Sequence, residues 1–109
     1  MITMAENDID VIHTTETEVG GVKKTLKKFK RKCTVVRVAQ AKGWRNVVVL
    51  DGKGNKKYFF GKVANAPPEL TPGEELFIGF EDVPYELPGI KHKITLMTLD
   101  GFQLDWTMV

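Results

Sequence analysis

From Thr34 onward, apolar and polar positions alternate with the two-residue period of a β-strand, in short runs that each end in turn-forming residues. The runs are "TVVRVAQ" (34–40), "RNVVVLD" (45–51), "KKYFFGKV" (56–63), "EELFIGFEDV" (74–83), "IKHKITLMTL" (90–99) and "FQLDWTMV" (102–109). "AKGW" joins the first two. "GKGN" (52–55) offers two glycines able to take positive φ, so residues 44–63 are predicted to form a hairpin. "NAPPELTPG" (65–73) is predicted to be irregular, because Pro67, Pro68 and Pro72 each remove a backbone donor and restrict the residue before them. "PYELPG" (84–89) is predicted to be a further loop.

Ahead of these runs the period changes. Val22, Leu26, Phe29 and Cys33 recur at i, i+4, i+7 and i+11, which places them on one stripe of a helix. A strand would put Val22 and Leu26 on the face opposite Phe29, so the spacing predicts a short amphipathic helix. Like charges four apart, such as Lys23 with Lys27, oppose it by a few tenths of a kcal/mol per pair. Residues 1–21 show no sustained period and end in "VGG", and they read as a flexible acidic leader.

Five or six short strands about ten residues apart, with no helix between successive pairs, predict a small, mainly all-β antiparallel barrel. A five-stranded oligonucleotide-binding (OB-like) barrel fits best, with a long first strand, a central hairpin and an irregular crossing before the fourth strand. A short basic helix or arm would precede it, and an SH3-like barrel is the alternative. At 109 residues the chain has room for one such domain, over residues 22–109.

Charge then changes the picture. The net charge of +2 conceals a segregated pattern. Residues 1–21 carry five acids and no Lys or Arg, residues 22–62 carry fourteen bases and only Asp51 as an acid, and residues 63–109 carry eight acids against two lysines. A middle of net +13 between acidic ends points to an acidic partner, for which a phosphate backbone is the commonest chemistry. The competing reading is that the acidic ends fold over the basic middle and neutralise it, or compete with nucleic acid for it.

Inventory excludes several chemistries. The chain has no serine, so a Ser-His-Asp triad is impossible. Cys33 lies beside Arg31 and Lys32, which would favour a thiolate, yet a lone cysteine at a strand start reads first as a small apolar residue. With His13 and His92 it forms no zinc-like spacing, and no metal or other cofactor is expected. "GKGN" lacks the spacing and the following helix of a phosphate loop. Glu74, Glu75, Glu81, Asp82 and Glu86 cluster at turns and strand ends, where solvated charge is ordinary. No apolar run is long enough to span a bilayer, and the N-terminus lacks the basic region and apolar stretch of an export signal, so an intracellular protein is expected.

The sharpest local feature is the interleaving of aromatic and basic residues over 42–62. Tyr58 and Phe60 share one face of a strand and Phe59 the other. Either pair of faces could be core. With Trp44, Tyr58 and Phe60 outward, the hairpin would offer stacking surfaces inside a positive groove, the combination used to hold single strands without reading sequence.

The expected function is therefore non-catalytic binding of single-stranded nucleic acid, with DNA put ahead of RNA. Phosphate contacts are expected from Lys23, Lys24, Lys27, Lys28, Lys30, Arg31 and Lys32 on the arm. Further contacts are expected from Arg37, Lys42, Arg45, Lys53, Lys56, Lys57 and Lys62. The alternative is a protein-interaction module, an inhibitor or assembly factor whose basic patch meets an acidic protein. The C-terminal strand, with Phe102, Leu104, Trp106 and Met108 alternating, would then close the core or pair with a second subunit.

Overall fold

In the computed structural model the described residues are 13–53 and 56–109. They contain seven strands and no helix: β1 (His13–Val19), β2 (Val22–Ala41), β3 (Trp44–Asp51), β4 (Lys57–Ala64), β5 (Glu75–Leu87), β6 (Ile90–Met97) and β7 (Gln103–Met108). All pairings are antiparallel, in the order β4-β3-β2-β5-β6-β7, with β1 added to β2. Six strands curl into a nearly closed barrel, consistent with a small OB-like or SH3-like architecture.

The long β2 makes this possible. Its first third pairs with β1, residues 28–34 pair with β5, and residues 33–41 pair with β3. A bulge between Val35 and Arg37 inserts one unmatched residue, Val36, which bends the strand and reverses which residues face inward. Phe29, Cys33 and Val35 point to the core before the bulge, and Val38 after it.

The predicted helix over Val22 to Cys33 is instead strand. Gly20 and Gly21 both take positive φ (61° and 81°), the requirement of a two-residue hairpin turn whose twist suits its strands. The turn folds "HTTETEV" of the predicted leader back onto the lysine run, with Glu18 opposite Lys23 and Thr17 opposite Lys24. Residues 1–12 of that leader lie outside the described residues. The apolar stripe that suggested a helix is split, as a strand requires. Phe29 packs on the core, while Val22 and Leu26 lie on the other face, where the arm projects past the barrel, and Val22 is 59% exposed.

β5 also runs through the predicted "PYELPG" loop as far as Leu87, turning only at Pro88-Gly89. The β1–β2 and β5–β6 hairpins extend the molecule to 46 × 45 × 23 Å. They are joined where the Lys27 amide donates to Asp82 Oδ2 at 2.9 Å, with His92 Nε2 3.6 Å from the other oxygen of that carboxylate.

The core is built from Cys33 and Val35 of β2, Val47 and Val49 of β3, Phe60 and Val63 of β4, Leu76, Ile78 and Phe80 of β5, and Ile94 and Leu96 of β6, with Leu70 from the connecting loop. β7 adds only the half-buried Leu104. A bulge between Leu96 and Met97 places Leu104 out of step, so Trp106 faces solvent, and the predicted shared face of Phe102, Leu104 and Trp106 does not form.

Candidate functional site

The hairpin of β3 and β4 decides which side chains face solvent. Val47 pairs with Phe60 and Val49 with Tyr58 on the inner face, while Val48 pairs with Phe59 and Leu50 with Lys57 on the outer face. Phe60 is fully buried. Tyr58 is half-buried, packed on the core with its ring edge-on to Phe80 at 5.7 Å, and burial raises its pKa, with Asp51 adding to the rise and Arg31 opposing it. Phe60 therefore has no exposed face for stacking, which corrects the expectation for it, while Tyr58 keeps only part of its surface exposed. The outward aromatic is Phe59, 55% exposed, with its ring lying over Gly61. Trp44, at the start of β3 beside the Lys42-Gly43 turn, is 46% exposed.

Two of the predicted phosphate-binding cations are committed elsewhere. Arg45 is buried at 7% exposure and aims its guanidinium at the chain after β4. Nε and Nη2 donate to the Ala64 carbonyl (3.1 and 2.7 Å), Nη2 also to Ala66 (2.8 Å), and Nη1 to Pro68 (2.8 Å). It thus satisfies carbonyls of the irregular crossing, and the planar donor fork suits that task. Arg31 stands at the other end of the barrel. It donates to the buried carboxylate of Asp51 at 2.7 Å and stacks on Phe29 and Phe80 at 5.0 and 5.1 Å.

The arm's lysines meet acids at close quarters. Lys23 is opposite Glu18, Lys28 is opposite Glu81, and Lys32 Nζ lies 3.2 Å from Glu75. Lys30 instead lies over the Phe77 ring at 4.5 Å. Lys24 and Lys27 complete the run, half-buried and exposed respectively.

The remaining cations are arranged differently. The outer face formed by β3, β4 and the second half of β2 carries no carboxylate, because the only acid in those stretches, Asp51, is turned inward. Arg37, Val48 and Phe59 form one row across it, and Thr34, Leu50 and Lys57 another. Arg37, Lys57 and Lys62 are exposed on this face, and Lys42, Lys53 and Lys56 are exposed at its two ends. Among the described residues, Arg37, Lys42, Lys56, Lys57 and Lys62 form no ion pair. Lys56 Nζ lies 5.6 Å from the Tyr58 ring. Trp44 and Phe59 frame the face, about 14 Å apart by strand geometry.

A further feature was not singled out from sequence. β4 and β7 are the two ends of the strand order and face each other without a ladder between them. One carboxylate bridges them. Asp105 Oδ2 accepts from the Lys62 amide at 3.1 Å, and Oδ1 accepts from the Trp106 amide at 2.7 Å. Beside this staple opens a cleft of about 570 Å³ lined by Phe59, Gly61, Lys62, Asp105, Trp106, Thr107 and Met108. Trp106 is 48% exposed, and Lys93 Nζ lies over its ring at 4.8 Å. Alternation in "FQLDWTMV" marks the strand, but the bulge that turns Trp106 outward has no local signature.

Cys33 is buried at 1% exposure and its thiol is pushed up to about 12, chiefly by burial and then by Asp51, against a smaller lowering from its hydrogen bond with the Leu76 backbone. It is not poised as a nucleophile. No group of three or more His, Cys, Asp or Glu gathers as a metal site among the described residues. Comparisons with protein-family models, with curated proteins and with solved structures return no match, so the reading of this surface rests on its own residues.

Proposed function

We propose that this chain is a non-catalytic binder of single-stranded nucleic acid, with the outer face of β2, β3 and β4 as its principal contact surface. The observation that carries the reading is the carboxylate-free face on which exposed Trp44 and Phe59 stand among Arg37, Lys42, Lys57 and Lys62, with Lys56 at its edge over Tyr58. Exposed cations without local acids keep their field for a ligand, and a backbone that threads them gains by releasing condensed counterions. Exposed rings beside them supply stacking that any base can use, worth about 1–3 kcal/mol per base. No base-edge reader is required, so sequence preference is weak.

The test is a titration of a fluorescently labelled oligothymidylate, its duplex and an RNA strand of equal length at several salt concentrations. Single strands bind more tightly than the duplex, and log K falls against log salt with a slope of about −0.7 per phosphate neutralised. Absence of single-strand binding at low salt overturns the proposal.

A further inference from the structure

The cleft between β4 and β7 places an aromatic ring and a cation on each side of an unpaired seam. Phe59 and Lys62 come from β4, and Trp106 comes from β7 with Lys93 of β6 over its ring. Phe59 already belongs to the carboxylate-free face, so the cleft continues that face around the barrel. Gly61 lets the Phe59 ring lie against its own strand, since a Cβ there would stand 2.9 Å from that ring. At about 570 Å³ the cleft falls within the range of small-ligand sites. Its one carboxylate, Asp105, has both oxygens engaged by backbone amides.

We infer that a bound single strand crosses this seam, with a base seated between Phe59 and Trp106 and the adjoining phosphates met by Lys62 and Lys93. The inference rests on the nucleic-acid reading above and gives it a path: the strand runs from Trp44 past Phe59 to Trp106. Charge complementarity selects the occupant. An acidic polypeptide would satisfy the two lysines but would leave both exposed rings without flat partners, whereas a nucleotide offers a phosphate and a π-face within one repeat.

The two tryptophans make the path readable. In Trp44→Phe, Trp106 is the sole tryptophan, and addition of an oligothymidylate is expected to quench its emission under selective tryptophan excitation. Phe59→Ala in that background, checked for an unchanged far-UV spectrum, is expected to weaken binding by about fivefold or more. Trp106→Phe, which leaves Trp44 alone, reports the other end of the path. Oligonucleotide binding seen by anisotropy, with Trp106 emission unchanged and Phe59→Ala at full affinity, overturns the seam while leaving the face intact. Quenching of Trp106 by poly-glutamate but not by the oligonucleotide overturns it in favour of an acidic polypeptide. Failure of the unaltered protein to bind any single strand at low salt overturns both proposals together.

Discussion

Cys33 lies in β2 opposite Asp51 on one side and Leu76 on the other, with 1% of its surface exposed. Its thiol stays protonated to about 12, whereas in the unfolded chain it ionises near 9.0. Between these values the unfolded state binds fewer protons than the folded one, so stability falls as pH rises through that window. The raised pKa of Tyr58 acts in the same direction. By about pH 10.5 the protein is expected to lose about 2 kcal/mol more, relative to neutral pH, than a Cys33→Val variant, as read from urea midpoints. Parallel pH curves for the two proteins would place the thiol in an ordinary environment. Residue identity was a poor guide to role in the same region. Arg45 looked like a phosphate contact because it follows Trp44 in a basic stretch, and only the irregular crossing, with carbonyls in need of donors, explains its burial. Phe60 looked like a stacking partner because alternation gives two faces without saying which is inside. Truncating Phe60 to Ala would cost about 3–5 kcal/mol as a core cavity, so it reports stability and not binding.

At the scale of elements, strands 34–40 through 102–109 were legible because each has its own period, although β5 runs four residues past the stop expected at Val83. The β1–β2 hairpin was not, although "VGGV" is a turn signal in plain view. Its apolar residues follow a helical spacing by coincidence, and the pairing that overrides propensity comes from residues in the acidic stretch before it. The seam was equally hidden, since nothing local tells that β7 returns to face β4. There the Asp105 carboxylate does what a strand ladder would otherwise do. Replacing Asp105 with Ala is expected to cost about 1–2 kcal/mol and to speed hydrogen exchange at the Lys62 amide, while Asn, which keeps an acceptor, retains part of the protection. Unchanged exchange at Lys62 in the Ala variant would mean that packing alone holds the edges together.

For the whole molecule, the charge pattern resolves into two surfaces with different prospects. Cations of the arm face Glu18, Glu81 and Glu75 across strands or through a direct ion pair, so much of their field is cancelled within the molecule. Cations of the β2–β4 face have no such neighbours on their own strands. Sequence could count the +13 but could not divide it, because cancellation depends on which strand lies beside which. The division has a measurable consequence. Replacing Arg37, Lys42 and Lys57 with Gln removes three charges that stand outside any ion pair among the described residues, and is expected to lower the steepness of the salt dependence by about 2 and single-strand affinity at low salt by tenfold or more. The same change at Lys23, Lys28 and Lys32 removes three charges that stand beside acids and is expected to alter the slope by less than half as much, with both proteins compared against one oligothymidylate. Equal slopes for the two triple variants would mean that the bound strand runs along β2 onto the arm, and that the acids beside those lysines yield to phosphate.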